Sequence, residues 1–167
     1  MRVVLATTAC GPGGVWRHLR DLAAGLRLEG CSVVLALPAS AAALQASADD
    51  DGLAWTPLGR ALRTRADVWH LHLHDTYDRQ ALGLLAARGA LPGISILTEH
   101  LPRTNASDPS LLPGPRRLGA GLAKLAFKRA QARLVRRVIA VSEDSRDFLR
   151  ARYRLGEDLV RVVPNGV

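Results

Sequence analysis

The chain has 167 residues, 48% of them hydrophobic and 4% aromatic, with 23 Lys and Arg against 15 Asp and Glu for a net charge of +8. That length suits one domain with a sizeable core, and the hydrophobic share excludes a disordered chain. The charge calls for an anionic partner, a phosphorylated ligand or an acidic membrane surface. Nucleic acid is set aside, because aromatics are too few for base-stacking platforms and no nucleic-acid-binding signature appears.

Met1 leads directly into an apolar strand, with no basic n-region or cleavage site, so no secretory signal is expected. No apolar run approaches the length of a membrane span. Cys10 and Cys31 are the only cysteines and have no partner set for zinc. They are expected to be buried free thiols in a reducing cytoplasm. Asn105-Ala106-Ser107 fits a glycosylation sequon but carries no weight without a secretory signal.

The elements read as follows in chain order. A first strand covers residues 2–6, and a helix covers 15–29, where Val15, Leu19, Leu22, Ala23 and Leu26 recur at helical spacing. Gly30 closes that helix as a C-cap. A second strand (31–37) stops at Pro38, an alanine-rich segment (39–48) makes a short helix, and 49–52 is a solvated turn. A short third strand (53–58) follows, then a fourth (68–73), a helix (77–88) and a fifth strand (93–98). A proline-rich loop (101–115) leads to a long basic helix (116–136) and a sixth strand (138–141). Ser142 caps the next helix, with Glu143 and Asp144 in its first turn, and 160–163 is a last short strand. No internal repeat is evident. Alternating strands and helices predict an α/β fold: a doubly wound, mostly parallel sheet of about six to seven strands with helices on both faces.

In such a sheet, ligands sit beyond the carboxyl ends of the strands. Four distant loops meet there: Gly11–Gly14, His72–Asp75, Glu99-His100 and Ser142. In the first, Thr7–Arg20, three glycines precede a helix, and positive φ at Gly11, Gly13 and Gly14 is expected to bring the backbone close to a ligand. The free N–H groups and dipole of the following helix favour an anion there. The loop therefore reads as phosphate-facing, the plain alternative being a turn into a helix that binds nothing. It matches neither G-x-G-x-x-G nor the P-loop.

His70, His72 and His74 share one strand face. As a metal ladder they step along the strand and lack an acid or Cys ligand, so no metal site is assigned. The favoured arrangement buries His70 and lets His72 or His74 reach the crevice, to hydrogen-bond a hydroxyl or phosphate. His100, before a loop at a strand's end, reads as ligand-facing. Glu99 is either a catalytic carboxylate or the partner of an arginine such as Arg103, and the sequence leaves that open. In the basic helix, Ala123, Phe127, Ala130 and Leu134 read as the core stripe. Leu118, Leu122 and Leu125 then lie opposite, flanked by Arg117, Lys124, Lys128, Arg129, Arg133 and Arg136 with no acids. Apolar residues flanked by Lys and Arg suit an interfacial helix; the plain alternative is a solvated basic face.

With these residues placed, the sequence resembles the N-terminal half of a GT-B fold glycosyltransferase, close to glycosyltransferase family 4. The resemblance rests on Gly13-Gly14 before a helix, the run Asp67–His72, Thr98-Glu99-His100, the run Val138–Glu143 and the closing Val163-Pro164-Asn165-Gly166-Val167. It implies two Rossmann-like domains across a cleft and transfer of a sugar from a nucleotide-sugar donor with retention of configuration, without a metal or other cofactor. It implies that this half binds the acceptor, that Gly13 and Gly14 approach the donor phosphates, and that His100 lies against the transferred sugar. His72, His74, Glu99 and Arg103 become candidate acceptor contacts. Lys124, Lys128, Arg129 and Arg133 become a candidate membrane surface, since some members of the family act on lipid acceptors.

Residues 1–163 would then be the N-terminal domain and 164–167 the start of the interdomain linker. The resemblance implies a C-terminal domain, whose paired glutamates hold most of the donor, beyond these residues, so this half is expected to be incompetent alone. A cytoplasmic location is expected, with the inner membrane face as a docking place. The alternative is a non-catalytic module that binds acidic membrane or a phosphorylated ligand through the basic helix and the glycine-rich loop. A phosphohydrolase or nucleotide-binding enzyme is disfavoured: no nucleophile elbow, P-loop or paired aspartates appear.

Overall fold

The structure, a computed structural model, describes residues 1–75, 77–100 and 115–164. Its elements are β1 (Arg2–Thr7), α1 (Gly14–Leu28), β2 (Ser32–Leu37), α2 (Ala42–Asp50), β3 (Trp55–Pro57), α3 (Leu58–Ala61), β4 (Val68–Leu73), α4 (Arg79–Gly89), β5 (Ile94–Glu99), α5 (Pro115–Arg133), β6 (Arg137–Ala140), α6 (Glu143–Tyr153) and β7 (Val160–Val162). The expected alternation is borne out. Helix α3 alone was not anticipated, because four residues are too few to show a period.

The seven strands form one parallel sheet in the order β3-β2-β1-β4-β5-β6-β7. The chain winds outward from β1 to β3, returns to the middle, and winds the other way from β4 to β7. The switch point therefore lies between β1 and β4, where the loops after neighbouring strands diverge and leave a crevice. Pro57 is tolerated because β3 is an edge strand.

Each strand feeds two cores. On one face Val3 and Leu5 of β1 and Leu35 and Leu37 of β2 pack against Trp16, Leu19 and Ala23 of α1 and Leu44 and Ala48 of α2. On the other, Val4, Ala6, Trp69, Leu71, Leu73, Leu97, Val138 and Ala140 pack against α3, α4, α5 and α6. Burying sheet surface on both sides explains why the central strands read as near-continuous apolar runs. Gly30, one residue past the Glu29 cap of α1, has φ +75. It ends the helix as expected.

The two cysteines are free, but Cys10 is exposed and Cys31 half-buried, not buried as expected. Cys10 lies past the end of β1 on the crevice loop, where a thiol meets solvent. Among the described residues, no helix is long and apolar enough to cross a membrane.

Candidate functional site

The loops after β1 and β4 are tied together at the switch point. The Thr8 hydroxyl donates to Asp78 Oδ2. With that proton committed, the His74 Nδ1–H donates to Thr8 Oγ1 at 3.0 Å. Asp78 Oδ1 meanwhile accepts from the Ala81 N–H at 3.0 Å and caps α4. One carboxylate thus fixes both a helix start and the loop over β1. His74 is itself exposed.

The glycine-rich loop enters α1 differently from the expectation. Gly11, Gly13 and Gly14 do not adopt the left-handed region; among the described residues that conformation falls on Gly30, Gly52 and Gly93, with Arg154 the non-glycine case. Gly13 is fully extended, at φ 176. What the three glycines provide is room: among the described residues, a Cβ on any of them would meet no atom within 4 Å beyond its chain neighbours. Among the described residues no side chain caps α1, and its first turn holds no acid, so its leading N–H groups are left to the crevice.

The histidine run does not act as a ladder. Pleating puts His70 and His72 of β4 on the face that carries Leu5 and Thr7 of β1, and the register sets His72 beside Thr98 of β5. His70 is buried as expected, its Nε2 2.6 Å from Thr98 Oγ1. His72 is fully buried, and its Nδ1 lies 3.2 Å from Nε2 of His100. Helix α1 brings in His18, with ring centroids 5.3 Å from His72 and 4.9 Å from His100. Thus His72 and His100 meet as candidates, His74 stands apart against Asp78, and His18 was missed. Its only sequence signal is a histidine one turn into the helix that follows the glycine-rich loop.

These rings are held neutral. Burial, reinforced by the neighbouring imidazoles, pushes His70 down to about 3 and His72 well below its ordinary value. Burial with His18 nearby pushes His100 down to about 4. His18 is lowered by burial against the opposing pull of Asp21. Near pH 7 the cluster therefore offers N–H donors and lone pairs but no cation. Among the described residues, the α1 terminus offers an anion partial positive charge there.

Glu99 points the other way, on the opposite side of the strand from His100. Its carboxylate is 1% exposed and pairs with Lys128 Nζ of α5. Burial raises its pKa, and the Lys128 charge pulls it back down. It therefore does not join the histidines as an acceptor contact, and its partner is a lysine of α5. Arg103, with the loop 101–114 and the side chain of Leu118, lies outside the described residues. Beside the pair, Lys124 Nζ lies 4.5 Å from the centre of the Tyr77 ring, and the Tyr77 and Tyr153 hydroxyls are 2.6 Å apart.

This overturns half of the membrane surface expected on the basic helix. Lys124 and Lys128 are 6% and 3% exposed and point inward to Tyr77 and Glu99. Arg133 is exposed and Arg129 half-buried. The core stripe of α5 is accordingly Lys124, Lys128, Gln131 and Ala132, with Val135 buried just past its end; Ala123 is exposed, and Phe127, Ala130 and Leu134 are half-buried. A buried acid at the end of β5 turned the lysine side of the helix inward.

A seven-stranded parallel sheet with a crevice at its switch point, lined by a glycine-rich helix start and neutral histidines, defines a Rossmann-like α/β domain. The model of Glycosyltransferase Family 4 matches residues 12–167. The chain belongs to that family. The crystal structure of a glycosyltransferase from Rickettsia africae ESF-5 has a similar fold, with a TM-score of 0.63 and 15% identity. The match covers 99% of this chain and 43% of that one, so the chain spans less than half the length of that protein. No curated protein matches by sequence. The expected likeness to an N-terminal GT-B domain is borne out.

Proposed function

We propose that the chain is the acceptor-side half of a retaining glycosyltransferase of hexosyltransferase type, which moves a sugar from a nucleotide-sugar donor to an acceptor sugar, lipid or small molecule. In this reading a C-terminal domain holds the nucleotide, no metal or other cofactor is needed, and this half is incompetent alone. The carrying observation is the convergence of the uncapped α1 terminus, with open space over Gly13 and Gly14, and the neutral His100 at one switch point. The helix terminus suits the donor diphosphate. A neutral imidazole at His100 suits a sugar hydroxyl, since it donates and accepts without the desolvation cost of a charge. His72 holds the His100 ring and reaches the substrate through it.

The test is transfer by the complete two-domain polypeptide, with the product's anomeric configuration read by NMR. Retention is expected, and His100→Ala should lower kcat by about 10²–10³-fold with a smaller change in KM. An inverted product, or a His100→Ala variant at full rate, sinks the reading.

A reduced form of the membrane reading has its own support. Leu122, 68% exposed, shares a helix face with Arg129 and Arg133 by its spacing. This favours docking on the anionic inner face of a cytoplasmic membrane through that stripe alone. Arg129→Glu with Arg133→Glu should abolish sedimentation with vesicles containing phosphatidylserine; sedimentation equal to the unsubstituted chain removes it.

A further inference from the structure

We infer that His18, His72 and His100 form a binding site for one divalent ion of the Zn²⁺ class, whose occupation closes the crevice to other ligands. One ring nitrogen from each residue lies within 4.8 Å of the others. The three residues come from different elements: α1, β4 and the residue after β5. Two of those supports, β4 and β5, are hydrogen-bonded neighbours in the sheet, so their separation is fixed by the ladder.

The geometry is close to that of a metal centre. Zinc–imidazole bonds of about 2.0–2.1 Å in a tetrahedron put ligand nitrogens about 3.4 Å apart. The His72 Nδ1 to His100 Nε2 separation is 3.2 Å. The third corner is a His18 nitrogen, within 4.8 Å of the other two. His72 also has a spare nitrogen: its Nε2 is buried and has no hydrogen-bond partner among the described residues. With Nδ1 as the ligand, Nε2 is left to carry the ring proton, and the ion replaces the single contact that Nδ1 makes with His100.

Donor chemistry selects the ion. Three imidazoles without a carboxylate suit Zn²⁺, Ni²⁺ or Cu²⁺ and give Mg²⁺ or Ca²⁺ no oxygen ligands. Three protein ligands leave a fourth position open, on the side of the crevice. Because the ion takes nitrogens of His72 and His100, it competes with anything else that uses them. The inference stands on the cluster alone and does not depend on the transfer reading.

The experiment is titration of the tag-free 167-residue chain with Co²⁺, followed by visible absorption, with Zn²⁺ and Mg²⁺ as competitors. One equivalent of Co²⁺ should give ligand-field bands that Zn²⁺ removes and Mg²⁺ does not. His18→Gln and His100→Gln should each weaken binding by about tenfold or more, while His74→Gln and Cys10→Ser leave it unchanged. Both rings are partly exposed, so these variants should keep the circular dichroism of the unsubstituted chain; if His100→Gln unfolds, His18→Gln still decides. Absence of saturable binding overturns the inference. So does binding that survives His18→Gln, or that is lost with Cys10→Ser.

Discussion

Strands β4 and β5 carry opposite chemistry on their two faces. Toward α1 they present His70, His72 and Thr98, continued by His100, all uncharged. Toward α5 they present Trp69, Leu71, Leu73 and Leu97, ending in the buried Glu99–Lys128 ion pair. Residues 99 and 100 are adjacent in sequence, yet one belongs to the structural core and the other to the crevice. The first face spends its polar groups on each other and keeps spare nitrogens. The second neutralises one charge with another, and its remaining polar atoms, such as Trp69 Nε1 and Glu99 Oε1, are sealed in the core. A polar residue at a strand's end is thus not a site residue until its face is known.

The comparison is broken most severely by cutting the ion pair. Glu99→Gln or Lys128→Met should cost about 3–5 kcal/mol in urea unfolding, because either leaves an uncompensated polar group in the core. Replacing both, as Glu99→Leu with Lys128→Leu, should recover most of that loss. If the single variants are no less stable than the parent, the pair is not the organiser of that face.

Acid should separate the two faces by sign. His70 titrates near 6.5 when unfolded and at about 3 when folded, so the unfolded state binds more protons between those values. Stability from that ring is complete above about pH 6.5 and is lost as pH falls toward about 3. By pH 5 the loss is about 2 kcal/mol for this ring alone. His72 and His100 act in the same sense. Glu99, whose folded pKa is raised, acts in the opposite sense, because the folded state takes up its proton first. Urea midpoints across this range should therefore fall with acidification, and less steeply in His70→Phe. A flat profile would show that the rings are not buried neutral.

Asp78→Ala removes the α4 cap and the Thr8 link together. It should cost about 1–2 kcal/mol and free the His74 ring, visible as a shifted His74 signal in NMR. The smallest effect on the fold belongs to Gly14→Ala. An added Cβ meets nothing there, so thermal stability should hold or rise by up to about 1 kcal/mol. Under the proposed function, nucleotide-sugar affinity of the complete polypeptide should nevertheless fall, since the added methyl would enter the space proposed for the donor. Gly93→Ala is the internal contrast: φ is +110, and its Cβ would collide with the Ala66 carbonyl. It should be clearly destabilising by the same thermal measurement.

The strands, helices and their alternation were set by local pattern. The runs at 2–6 and 31–37 are mostly apolar over strand length, 68–73 alternates apolar residues with histidine, and Ser142 and Gly30 mark helix ends by their own backbone chemistry. The family motifs are also local, which is why they are legible without coordinates. Which way each polar side chain points was decided only by tertiary structure. The apolar stripe of α5 is too weak to fix the helix's rotation, and the buried Glu99, 29 positions away from Lys128, turned the lysines inward. The gathering of His18, His72 and His100 required strand register and helix docking across the switch point. Sequence spacing fixes only which residues share a face of one element; contact between elements is a property of the packed whole.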